Sequence, residues 1–207
     1  HAVDLSLFNS QMNDLLNGKR VDIPTFDFIH GTKIYGNRIV SIDKNQPIVI
    51  EGIHALNKIL TKEIDDKEKF KIYISPLTSL NIDHLNRIPT TDARMLRRMV
   101  RDYNTRDRSA AQTIKDWPKV RKGEDQNIFP YNSEADIFFN TNYIYELAVL
   151  KKYAEPLLEN IQRNEPEYAE AQRMLSFLKF FRTIDDVSMI SNNSILREFI
   201  GGSVLIK

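Results

Sequence analysis

Three short apolar runs, "PIVIEG", "FKIYIS" and "ADIFFN", alternate along this chain with segments whose apolar residues recur at helical spacing. A run that is apolar throughout cannot leave one face in water. It suits a strand of a parallel sheet covered on both sides, and alternation with helices points to an α/β fold. The runs predict buried strands at 48–50, 70–75 and 135–140. Helical spacing of Leu5, Phe8, Met12, Leu15 and Leu16 predicts an opening helix, with Gly18 as its stop. "RVDIPTFDFI" reads as extended. Two long helices are expected near the end. One carries Ile144, Leu147, Leu150, Ala154, Leu157 and Leu158; the other opens near Pro166 and carries Tyr168, Ala171, Met174, Leu175, Leu178 and Phe181.

Composition removes several classes of function. With 207 residues, 42% of them hydrophobic, the chain can build a substantial core. Its apolar runs fall far short of the ~20 residues that span a bilayer, so no membrane partner is expected. The opening "HAVDLSLFNS" lacks the basic-then-apolar order of a signal peptide. Cysteine is absent, which excludes disulfides, thiolate metal sites and a cysteine nucleophile, and suits the cytoplasm. A net charge of +1 argues against a nucleic-acid partner, because such domains carry a strong basic excess.

The positive charge is local instead. "TTDARMLRRMVRDYNTRDRS" holds Arg94, Arg97, Arg98, Arg101, Arg106 and Arg108. Met95, Leu96, Met99, Val100 and Tyr103 form one stripe of a helix opened by Thr91 and Asp92, and Arg94, Arg97, Arg98 and Arg101 cover much of the rest. Arg106 and Arg108 flank Asp107 in a loop. One reading is a solvated face with pairs such as Arg98–Asp102, and it is the favoured one for Arg94. The other is a set of guanidinium forks around phosphate. Glu51 ends an apolar run and precedes Gly52, a place where a carboxylate can hold Mg²⁺ or simply face water. Phe26 and Phe28 alternate with Asp27, so both aromatics share a face that could stack on a base or fill a core. His30, His54 and His84 show no metal-ligand spacing.

The order of these segments is more specific than any one of them. "AVDLSLF", "IPTFDF", "IVIEGIHAL", "RMLRRMVRDYNTRDRS" and "FPYNSEADIFF" together resemble the uridine kinase family of P-loop phosphotransferases, from Ala2 to about Asn140. "SPLTSLNIDHLNRIPTTD" and the tail through "NSILREFIGGS" resemble its bacterial branch. The resemblance implies a three-layer P-loop kinase fold with a mainly parallel sheet, a helical lid over about 103–130 and a C-terminal helical extension over about 143–207, as one partial domain. It implies Mg²⁺-dependent transfer of the γ-phosphoryl of ATP or GTP to a nucleoside 5′-hydroxyl. Glu51 then matches the Mg²⁺-linked acid. Phe26, Asp27, Phe28 and His30 match the substrate side, joined by Arg98. Arg101, Arg106 and Arg108 match arginines at the lid and donor phosphates, with Arg106 and Arg108 as the catalytic pair.

Departures from the pattern touch substrate and lid. Phe26 replaces a usual Tyr, His30 lies one position early, Asp107 replaces a Gly, and Asp116 stands where a base-reading Gln is common. No Gly-x-x-x-x-Gly-Lys-Ser/Thr loop occurs in these residues. That loop, the catalytic Asp and a substrate-binding acid are expected upstream of His1, and this stretch alone is expected to be inactive. Two alternatives stay open: a kinase for another small alcohol, such as a sugar phosphate or a pantothenate-like compound, and a non-catalytic RNA-associated module. A homo-oligomer is compatible with the sequence.

Overall fold

The computed structural model describes residues 3–27, 30 and 32–205, which gather into two compact units. The first comprises residues 1–73 and 124–137, the second residues 74–123 and 138–207.

The first unit opens with α1 (Leu5–Leu16). Asp4 caps it by accepting the Leu7 N–H at 3.1 Å. At the far end the Lys19 N–H reaches the Asp14 carbonyl and the Gly18 N–H the Leu15 carbonyl, each at 2.9 Å. These paired bonds form a Schellman stop, and it needs a left-handed residue; Gly18 supplies it with φ +73°. Met12 and Leu15 pack with Val21 in a small core, to which Ile23, Val40 and Ile48 add cover. Buried Asn9 ties the helix to the loop beyond it: its amide donates to the Leu60 carbonyl at 3.0 Å, and its oxygen accepts the Glu63 N–H at 3.3 Å.

Short strands follow. β1 (Val21–Asp22) and β4 (Ile39–Val40) pair antiparallel, with Val21 opposite Val40. β2 (Thr25–Asp27) and β3 (Thr32–Ile34) form a second antiparallel pair, with Phe26 opposite Lys33. Residues 48–50, expected as a buried strand, are neither strand nor uniformly buried: Ile48 reaches the small core, but Val49 is 87% exposed. Neighbouring side chains of an extended stretch point to opposite sides. Only one side here has a core to meet, and among the described residues no strand pairs with this one.

β5 (Ile72–Ser75) and β6 (Ile137–Asn140) do form. The Ile137 N–H bonds to the Lys71 carbonyl at 3.3 Å and the Thr141 N–H to the Ser75 carbonyl at 3.0 Å. Equal steps along both strands make the pair parallel, as the alternation predicts. It is the one parallel pair among three two-stranded sheets of the described residues. The expected burial on both faces is not found, since Ile72, Ile74, Phe138 and Phe139 are all exposed. Strand character follows from local β-branched and aromatic content, whereas burial requires covering layers.

The second unit is helical. α2 (Thr90–Arg106) buries Met95, Leu96, Met99 and Val100 against α4 (Glu146–Glu159) and α6 (Leu196–Ile200). Each such side chain contributes about 1.5–3 kcal/mol by leaving water. Tyr103, expected in the same stripe, is instead exposed near the end of the helix. α4 turns Leu147, Leu150, Ala154 and Leu158 inward, and α5 (Tyr168–Leu178) answers with Ala171, Met174 and Leu178. Ile144 precedes α4 and is exposed. The two helical patterns near the end of the chain are thus observed, the first beginning only at Glu146.

Candidate functional site

α3 (Ala110–Asn127) follows α2 after three residues, Asp107, Arg108 and Ser109. Two devices set this sharp turn. Asp107 ends α2 in the left-handed conformation, φ 51° and ψ 41°, and its N–H returns to the Asp102 carbonyl. Ser109 opens α3 with a capping box: its hydroxyl accepts the Gln112 N–H at 3.2 Å, and its N–H donates to the Gln112 side-chain oxygen at 3.0 Å. Asp107 occupies a backbone position that glycine tolerates best.

The turn and the last two turns of α2 gather arginines around one acid. Asp102 is fully buried. Arg98 Nε lies 3.2 Å from its Oδ2, and Arg101 and Arg106 each approach Oδ1 at 3.1 Å. Positions i−4 and i+4 of one helix bring Arg98 and Arg106 to this carboxylate, and the long side chain of adjacent Arg101 folds back to it. Arg101 also lies 3.7 Å from Glu198 on α6. Arg108 departs from this group and pairs with Asp116 on α3. The Arg108 guanidinium, helped by Lys119, holds the Asp116 carboxyl below the ordinary carboxylate range. Arg98, Arg101, Arg106 and Arg108 all remain partly exposed, so their outer edges can meet a ligand.

Arg97 behaves differently, and sequence reasoning placed it on the polar face. It is 7% exposed. It pairs with the fully buried Glu146, donates to the Thr141 carbonyl at 2.9 Å, and sits 5.3 Å from the centre of the Phe199 ring. A signal was present: Arg97 follows Ala93 by four residues and precedes Val100 by three, inside the apolar arc.

The other predicted site residues belong to the first unit. Phe26 and Asp27 lie on β2, and Phe26 is half exposed. His30 Nδ1 lies 2.6 Å from Asp27 Oδ2, and the His30 N–H donates to Asp27 Oδ1 at 3.1 Å. Phe28 lies outside the described residues. Glu51 is exposed, beside Gly52 at φ +150°. No cluster of three His, Asp or Glu able to hold a metal occurs among the described residues. Mg²⁺ keeps several waters and commonly takes only one or two carboxylates. Glu51, an exposed carboxylate in no ion pair with another described residue, fits that requirement.

Two open clefts in the second unit, of about 440 and 520 Å³, are lined by other residues, among them Phe177 and Phe180 in one and Arg163 and Gln172 in the other. No described helix is long and apolar enough to cross a membrane.

Comparison with known proteins agrees with the segment order. A uridine kinase of Staphylococcus haemolyticus is 32% identical over 137 residues, covering 66% of this chain and 58% of the relative. Uridine kinases of Macrococcus caseolyticus and Staphylococcus aureus are 31% and 33% identical with the same coverage. The chain thus spans 58% of the length of these relatives. No solved structure matches it. The profile of the Phosphoribulokinase / Uridine kinase family matches residues 1–144, a stretch that contains α1, the six strands of the described residues and the arginine-bearing helix–turn–helix. By this match the chain belongs to the phosphoribulokinase / uridine kinase family.

Proposed function

We propose that this chain is the greater part of a kinase domain that moves the γ-phosphoryl group of ATP or GTP to the 5′-hydroxyl of a uridine- or cytidine-like nucleoside, within the three-layer fold of its family. The arginine group on α2 and the following turn carries the reading. Phosphoryl transfer asks little covalent chemistry of a protein and much positioning and charge stabilisation. Arg98 and Arg101 offer planar forks to phosphate oxygens, with Arg98 reaching the acceptor side. Arg106 and Arg108, at the end of α2 and in the turn, donate to the oxygens that gain charge as the phosphoryl group moves. Phe26 packs on the base, and the Asp27–His30 pair presents hydrogen-bonding groups to the nucleoside. Glu51 would hold Mg²⁺, which neutralises phosphate charge when bound.

The test uses the full-length protein with Mg²⁺, ATP or GTP, and a panel of uridine, cytidine, a sugar phosphate and pantothenate. Nucleoside phosphorylation is expected, with kcat severely reduced in E51Q while its circular dichroism is unchanged. Turnover confined to a non-nucleoside alcohol would reject the acceptor, and unaltered Mg²⁺-dependent turnover in E51Q would reject the metal role.

A further inference from the structure

One buried residue, Asp102, touches all four arginines just assigned to phosphate, three through its carboxylate and one through its main chain. Asp102 is fully buried, and its Oδ1 meets Arg101 and Arg106 at 3.1 Å each. Its Oδ2 lies 3.2 Å from Arg98 Nε but receives no aligned hydrogen bond from a described residue. Its backbone carbonyl accepts two N–H groups, from Asp107 at the helix end and from Arg108 at 3.2 Å. The side chain therefore accepts hydrogen bonds from Arg101 and lies at ion-pair distance from Arg98 and Arg106, and the main chain of the same residue accepts the N–H of Arg108, the fourth. We propose that Asp102 is a positioning residue for the phosphate-binding arginines, a role that rests on the phosphotransfer reading above.

Burial matters to the argument. Arg98, Arg101 and Arg106 have long side chains with many rotamers, and free ends would have to be ordered by the ligand itself. A carboxylate fixed inside the fold orders them beforehand. Arg98 and Arg101 are each 27% exposed and Arg106 54%, so part of each guanidinium stays open to an incoming anion. The other acids close to these arginines are Glu198, 3.7 Å from Arg101, and Asp116, which takes Arg108.

The role makes a prediction whose sign opposes simple electrostatics. Removing a negative charge beside an anion site should tighten anion binding if charge alone matters. If Asp102 positions the arginines, removing it should weaken binding. The experiment is calorimetric titration of inorganic tripolyphosphate into the full-length protein and its D102N variant, with near-ultraviolet circular dichroism to establish folding. Weakening of roughly 10–100-fold is expected, on the scale of the loss when the hydrogen-bond partner of a metal ligand is removed. Equal or tighter binding by folded D102N would overturn the positioning role and leave the kinase reading intact. Wild-type protein that binds no tripolyphosphate would overturn both. Should D102N not fold, the guanidinium N–H resonances of Arg98, Arg101 and Arg106 in the wild type decide. Slow exchange and joint shifts on adding tripolyphosphate support the role; fast exchange before addition overturns it.

Discussion

Arg97 and Arg98 follow one another on α2, yet their guanidinium groups meet different surroundings. Arg97 is enclosed with Glu146 beneath the Phe199 ring, whereas Arg98 stays partly exposed while reaching the buried Asp102 carboxylate. Removing one member of an enclosed pair leaves the other charge buried and alone, so R97A should lose about 3–5 kcal/mol of stability. Replacing both, as in R97M/E146L, should restore most of it, because apolar partners of similar volume avoid the desolvation cost. Urea unfolding of the two variants checks this, and equal loss in both would refute it. Asp116 shows the opposite, exposed regime. Its carboxyl lies below the ordinary range because Arg108 donates to it. A lowered acid contributes stability that is present above its unfolded-state value and is lost as pH falls through the lowered one. A carbon-13 titration should therefore find Asp116 with a midpoint below that of an ordinary aspartate, returning upward in R108A. An unchanged midpoint in R108A would assign the shift elsewhere.

At the scale of elements, the α2–turn–α3 unit depends on a residue that its backbone does not favour. A left-handed conformation costs most L-residues ~1–2 kcal/mol, and aspartate less than most. Asp107 adopts it at φ 51°. D107G should raise stability by about 0.5–1 kcal/mol, read as a higher urea midpoint with unchanged slope. A lower midpoint would mean that the aspartate side chain supports the turn. Helices were the most legible elements. The stripes of α1, α2, α4 and α5 repeat over three or more turns, and a period sustained that long arises where one helix face is buried. Gly18 was legible as a stop because only one residue type takes its conformation freely. Residues 48–50 were not legible, because three apolar residues say nothing about which neighbours cover them. The burial of Arg97 is legible from its place in the apolar arc, but its partner Glu146, 49 positions away, lies beyond any local pattern.

Across the whole molecule, two cores of unequal size divide the predicted site residues. Phe26, Asp27, His30 and Glu51 belong to the unit whose core is built on Met12, Leu15 and Val21, and the arginines belong to the helical one. The grouping of Arg98 with Asp102 was readable from four-residue spacing on one helix. The association of Arg106 with the same acid was not, because the turn was read as beginning before it. Parallel pairing of β5 and β6 was legible from the alternation of strand and helix patterns, which operates over the length of the chain.

The carboxylates paired with these arginines also bear on how the cluster responds to salt. A nucleic-acid backbone carries condensed cations, and a bare row of arginines that neutralises its phosphates releases them, so affinity falls steeply with added salt. Here Asp102, Asp116 and Glu198 meet the arginines from within the fold. With part of their charge already met, these arginines neutralise fewer phosphates and release fewer counterions. Phosphate binding at this cluster should then respond only shallowly to ionic strength, which is the behaviour of a preformed pocket for a small ligand and not that of a surface that tracks a nucleic-acid backbone.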